Sequence, residues 1–201
     1  MMEALSATDR AGRDATIRAM LPLVPQGGWT ARTIAAGLHT AGLPEDEASF
    51  LFPRGVTSAI EAWADLTDRA MAGEAGDVLS LRVPARIRTL VAARLRLVAP
   101  HKDAARRALA LLALPWNAAA GLRIAAHTAD AIWLAAGDTS DDLSRYTRRA
   151  TLAAIHGATL AFWLRDDSED TGPALDFLDR RLAGLARFQR CRKAPARAKV
   201  A

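Results

Sequence analysis

The stretch Ala150-Thr-Leu-Ala-Ala-Ile-His-Gly-Ala-Thr-Leu-Ala-Phe-Trp-Leu164 runs for 15 residues without a charged side chain. A helix with no polar face is expected to be buried all round. Ala153, Ala154, Gly157 and Ala158 are small enough to let neighbouring helices approach closely. The stretch therefore predicts a central core helix or a dimer seam, with ligand lining as the other reading. A second uncharged run, Ala108–Leu122, has the same length. Both fall short of the ~20 residues that span a bilayer.

The rest of the chain reads the same way. Among 201 residues, 51% are apolar; alanine supplies 46 and leucine 26, against 14 valines and isoleucines together. Ala and Leu enter helices at least cost, whereas sheets favour β-branched side chains. Breakers then divide the sequence into about nine helices of an all-α fold. The first spans about Thr8 to Leu21 and is ended by Pro22 and Pro25. Thr30 caps a second through Leu38, and Pro44 opens a third with Glu45, Asp46 and Glu47 in its first turn, stopping before Pro53. Val56, Ile60, Trp63, Thr67 and Met71 recur at helical spacing in the fourth, and Pro84 to Pro100 brackets the fifth. The remaining four are predicted at about 102–114, 118–136, 142–165 and 173–190.

A net charge of +5 raises nucleic acid or an anionic membrane as partners. Its distribution separates them. From Arg187 onward there are six basic residues and no acid, so the body before it holds 21 basic against 22 acidic residues, net −1. The surplus belongs to a basic tail, expected to be disordered over 191–201.

No pattern of catalysis or metal binding stands out. No Glu precedes a His by three residues, and His39, His101, His127 and His156 form no i, i+4 pair. Cys191 is a lone cysteine, which fits a reducing compartment. The residues therefore point to no catalytic group, no metal and no cofactor. Two acidic loops flank the eighth helix; Thr139, Ser140 or Asp141 is expected to cap it, and Asp166, Asp167, Glu169 and Asp170 read as a solvated turn. Asp130, in a largely apolar helix, needs a partner if buried. The N-terminus, Met-Met-Glu-Ala-Leu-Ser-Ala-Thr-Asp-Arg10, has no apolar core of the kind a signal peptide carries, so the expected location is cytoplasmic, peripheral at most to the inner membrane.

Residues 8–53 are laid out like a helix-turn-helix and look like the N-terminal part of tetracycline-repressor-type regulators, with a larger helical domain over 54–190. A DNA-reading helix needs Arg, Lys or amide side chains against phosphates and base edges. Between Gln26 and Ile60 there are Arg32 and Arg54 against Glu45, Asp46 and Glu47, net −1. The scaffold is present without the electrostatics, so no nucleic acid is expected. A ligand-responsive regulator of this type remains the alternative function, and an all-α enzyme a third without specific support.

Several stretches together resemble the ubiquinone biosynthesis accessory family known as coenzyme Q nine. These are Val24-Pro-Gln-Gly-Gly-Trp-Thr, Phe52-Pro-Arg-Gly, Arg94-Leu-Arg-Leu and Ala108-Leu-Ala-Leu-Leu-Ala-Leu-Pro. The most specific is Asp130-Ala-Ile-Trp-Leu-Ala-Ala-Gly-Asp-Thr-Ser-Asp-Asp-Leu-Ser-Arg-Tyr-Thr-Arg-Arg149, continued by Asp176-Phe-Leu-Asp-Arg-Arg. The resemblance covers about residues 13 to 188. It implies a tetracycline-repressor-like fold without DNA binding, a homodimer through the last two helices, and a site for an isoprenoid lipid or ubiquinone precursor. It further implies help to a separate ubiquinone-pathway hydroxylase acting on demethoxyubiquinone. Carried over by motif, the partner-binding residues are Ile132, Arg145, Tyr146 and Arg149; a dimer contact or a solvated first turn is the other reading of the Tyr146 cluster. Arg145 stands where eukaryotic members often have an aromatic residue, and those members continue into an amphipathic C-terminal helix. After Cys191 this chain has no apolar face, so contact with an anionic membrane through the tail is expected to be electrostatic. Candidate lipid-binding walls are Ile60, Trp63, Leu90, Leu112, Ile132 and Leu152, each of which also reads as an ordinary packed core residue.

Overall fold

Ser6 starts the first helix by accepting a hydrogen bond from Asp9 N (3.1 Å), while the Asp9 carboxylate accepts from Ser6 N (3.3 Å). This reciprocal capping satisfies two amides that a helix start leaves unpaired. The computed structural model describes residues 5–139, 143–167 and 170–193. Its elements in order are α1 (Ala7–Met20), α2 (Val24–Gly27), α3 (Ala31–Thr40), α4 (Glu47–Leu51), α5 (Val56–Ala75), α6 (Val83–Val98), α7 (Lys102–Leu112), α8 (Ala118–Ala135), α9 (Leu143–Arg165) and α10 (Gly172–Lys193). No strand occurs among the described residues, and no single helix there is long and apolar enough to cross a membrane.

Two boundaries differ from the sequence expectation. Pro22 and Pro25 do not stop the chain, because each sits in the first turn of a short helical segment, where its missing N–H is not needed. Pro44 opens a turn rather than a helix: Glu47 N donates to Pro44 O and Ala48 N to Glu45 O, and α4 begins at Glu47. The Thr30 cap is present, with Oγ1 accepting from Thr33 N at 3.2 Å.

α1 packs on α3, and α5 runs through the centre against α1, α6 and α8. α9 lies between α8 and α10, and α10 returns onto α6. Gly37 permits the α1–α3 contact, since a Cβ there would lie 2.9 Å from both Met20 Cβ and Thr16 O. Trp29 ties the N-terminal segment to the rest: Nε1 donates to Ala104 O (2.9 Å) and its ring lies 5.7 Å from that of Trp63. One apolar core runs through both segments, from Ile17, Met20 and Leu38 to Leu90, Ile132 and Trp163.

α9 corrects the reading of its uncharged stretch. It is not buried all round in the single chain. Leu152, His156, Thr159, Trp163 and Leu164 face inward, while Ala150, Ala154 and Ala158 lie exposed at i, i+4 and i+8. Ser140, Asp141, Asp142, Glu169 and the tail from 194 to 201 lie outside the described residues.

Candidate functional site

Where α5, α6, α8 and α9 meet, the core holds charge. Arg94 of α6 donates through Nε to Asp68 Oδ1 of α5 at 2.7 Å, and Thr128 of α8 donates to Asp68 Oδ2 at 2.8 Å. His127 Nδ1 stands 3.7 Å from the same Oδ2. Burial pushes the Asp68 carboxyl up, but Arg94 and the hydrogen bonds around it outweigh this and hold its pKa below the usual carboxylate value. The Asp68 carboxylate in turn raises the pKa of His127 against partial burial. His156 of α9, wholly enclosed, is driven down to about 3 by desolvation, reinforced by the Arg94 charge and partly offset by Asp68. Its Nε2 has no hydrogen-bond partner among the described residues. The imidazole is therefore neutral at physiological pH. The sequence reading did not select this cluster.

A second charged assembly stands at the α8–α9 junction. α8 ends in a Schellman turn: Gly137 takes φ +81°, Gly137 N donates to Leu134 O (3.0 Å), and Asp138 N donates to Trp133 O (3.0 Å). This places Asp138 beneath α9, where Arg149 Nη1 donates to its Oδ2 at 3.1 Å. Arg149 also donates through Nε to Asp130, giving that buried-helix acid its partner. Burial opposes the Arg149 charge, yet Asp130 and Asp138 raise its pKa. Arg145 reaches Asp130 at 3.8 Å, and Arg148 reaches Asp138 at 3.5 Å while lying over the Trp133 ring. Arg86 fixes the neighbouring loop to the same end of α8 by donating to Ala136 O, Leu79 O and Leu81 O at 2.6–2.8 Å. Tyr146 stands on this platform with 71% of its surface exposed.

The structure thus brings Arg145, Tyr146 and Arg149 together at one junction. Ile132 of α8 is wholly buried. Of the proposed lipid walls, Ile60, Trp63, Leu90, Ile132 and Leu152 are buried in the common core, and Leu112 packs at its edge. None of the six lines the groove of about 760 Å³ that opens between α1, α4, α5 and α8.

The chain matches the COQ9 family model over residues 118–189, the span of α8, α9 and most of α10. It is 32% identical over 174 residues to the mitochondrial ubiquinone biosynthesis protein COQ9 of Rattus norvegicus and to that of Homo sapiens, covering 83% of this chain. The Xenopus tropicalis protein of the same name is 33% identical over 175 residues. The chain spans about half the length of these relatives, 55–56%. Among solved structures, a TetR transcriptional regulator from Nitrosomonas europaea superposes with a TM-score of 0.67 at 25% identity, covering 87% of this chain and 98% of that one. The chain is thus similar in sequence to COQ9 proteins and in fold to a tetracycline-repressor-type regulator.

Proposed function

We propose that this chain is a non-catalytic accessory protein of ubiquinone biosynthesis that binds an isoprenoid quinone precursor and presents it to a demethoxyubiquinone-type hydroxylase. The observation that carries the reading is its one-third identity to COQ9 proteins over 83% of the chain. The α8–α9 junction supports it: an exposed aromatic beside arginines on a rigid base is the usual make-up of a binding hot spot. In this reading Tyr146, Arg145 and Arg149 face the hydroxylase, and buried Ile132 acts from beneath by holding α8 in place. An isoprenoid tail gains about 0.8 kcal/mol per buried CH₂-sized group. The proposed walls Ile60, Trp63, Leu90, Leu112, Ile132 and Leu152, contributed by α5 to α9, would receive it.

We further propose a homodimer through α9 and α10. The small, exposed Ala150, Ala154 and Ala158 allow close approach of a second copy. The basic residues from Arg187 onward would supply contact with an anionic membrane, about 1 kcal/mol per residue near the surface. The regulator alternative is disfavoured by α4, which has only five residues and begins with Glu47. Organic extraction and mass spectrometry of the full chain, purified from a cell that makes ubiquinone, tests the reading. A co-purifying prenylated ring precursor is expected. Repeated recovery of protein free of any prenyl lipid would overturn it.

A further inference from the structure

We propose that the groove between α1, α4, α5 and α8 is a binding site for an anionic amphiphile, a molecule with one acidic group on an apolar body. The arrangement of its arginines is the first ground. Glu61 of α5 serves two of them, accepting from Arg54 at Oε2 and from Arg123 at Oε1 (2.8 Å). Asp65 likewise serves Arg13 (2.7 Å) and Arg69 (3.2 Å). Arg69 has Asp14 as a further partner, at 2.8 and 2.9 Å, which balances that pair. No second acid among the described residues balances the other. Arg10, on the exposed rim of α1, contacts no acid among the described residues. Asp68 at the floor is already matched by Arg94. The lining therefore holds five arginines against three carboxylates, and the surplus sits with Arg10 and the Arg54–Arg123 pair.

The second ground is the wall. Phe50 of α4 presents its ring to solvent, 55% exposed, and Leu51, Pro53, Ala62 and Ile124 continue the apolar lining. A volume of about 760 Å³ holds a ligand of some tens of heavy atoms. A cationic rim over an apolar wall recognises charge and hydrocarbon together; neither inorganic phosphate nor a neutral chain satisfies both halves. The same chemistry is available in a free carboxylic or phosphoric amphiphile and in a bilayer headgroup. This site is separate from the core walls proposed above and does not depend on isoprenoid binding.

Calorimetric titration of the full chain with dodecanoate, dodecyl phosphate, dodecanol and inorganic phosphate tests it. The two anionic amphiphiles are expected to bind at least about tenfold more tightly than dodecanol or phosphate. That preference should shrink as salt screens the rim. Arg10→Gln with Arg123→Gln should lower dodecanoate affinity about tenfold with at most a small fall in the thermal midpoint, because both side chains are exposed and Glu61 keeps Arg54. Phe50→Ala should lower it through the wall. Vesicles of phosphatidylcholine with and without phosphatidylglycerol form the last arm; variant-sensitive binding to the anionic vesicles alone assigns the head to a lipid surface, and binding of monomeric dodecanoate assigns it to a free ligand. Equal affinity for dodecanol, binding untouched by the arginine and Phe50 variants, or no saturable binding of any anionic probe below about 1 mM would overturn the proposal. Loss of prenyl lipid from the purified chain with these titrations intact would remove the earlier reading and leave this one.

Discussion

Arg94 and Asp68 form a buried ion pair beneath the groove floor, with side chains only 6% and 2% exposed and Nε–Oδ1 at 2.7 Å. Charges so placed are costly unless each keeps its partner. Arg94→Met should therefore destabilise the fold by about 3–5 kcal/mol, because Asp68 is left uncompensated. Asp68→Leu should do the same through Arg94. The double variant is expected to recover most of the loss, as apolar replacements of buried pairs often do. Urea unfolding of the three variants reads the coupling directly. Additive losses in the double variant would mean that the two charges are not held by one another.

His156 gives the stability a defined acid limb. Its ordinary pKa near 6.5 falls to about 3 in the fold, chiefly through burial. The unfolded chain therefore takes up a proton that the native chain refuses, and stability falls as pH drops from about 6.5 toward 3, by about 1.4 kcal/mol per unit. His127 works in the other sense. Its raised pKa gives stabilisation that is full below about 6.5 and fades as pH rises through the folded value. At pH 5, His156→Leu should be more stable relative to the wild type than it is at pH 7.5, by about 2 kcal/mol. Denaturant titrations at the two pH values measure this. An identical difference at both would show that the native imidazole protonates freely.

Arg149 of α9 holds two acids, Asp130 within α8 and Asp138 in the turn that ends it. Replacing it by Met keeps much of the stem and removes both charge-assisted hydrogen bonds. Asp138, whose side chain is 9% exposed, then loses its 3.1 Å hydrogen bond and keeps Arg148 at 3.5 Å. A loss of about 2–4 kcal/mol is expected, larger than for an exposed pair such as Arg96–Glu74, whose removal should cost about 1 kcal/mol or less. Thermal unfolding of Arg149→Met beside Arg96→Met tests the contrast. Equal shifts would place the junction among ordinary surface ion pairs.

Much of the fold could be read from local chemistry. Thr30 lies before an apolar-periodic run, and Gly137 follows the last periodic residue of α8; each acts as the cap its position implies. Such features depend on neighbours in the chain. Pro44 misled because proline at a first turn and proline in a tight turn share the same φ, and only tertiary packing decides between them. The Asp68–Arg94 pair had a signal that periodicity contains: Arg94 falls on the same helical stripe as Ile87, Val91 and Val98, a charged residue in a core register. Pairing it with Asp68 required knowing that α5 lies beside α6. The groove was less legible still. Its lining is drawn from α1, α4, α5 and α8, spread between Leu5 and His127, and each of its arginines alone reads as a solvated side chain. At the junction, motif resemblance selected Ile132, Arg145, Tyr146 and Arg149 together, but a motif does not tell an inward side chain from an outward one, and Ile132 is wholly buried while Tyr146 is exposed.

Tyr146 separates partner recognition from folding. With 71% of its surface in solvent and no packing role in the core, Tyr146→Ala should change stability by no more than about 0.5 kcal/mol. If the junction docks the hydroxylase, the same change should weaken the complex by about 1–2 kcal/mol, or roughly five- to thirtyfold, since a truncated aromatic anchor loses its buried area. Tyr146→Phe should keep most of the affinity if the ring carries the contact, and lose it if the hydroxyl does. Calorimetric titration against the purified hydroxylase, with thermal melts of each variant, resolves the possibilities. Unchanged affinity in Tyr146→Ala would move the partner surface away from α9. A large drop in melting temperature would instead make Tyr146 a packing residue of the assembled dimer, and the hydroxylase would then have to be met by Arg145 and the adjoining face of α8.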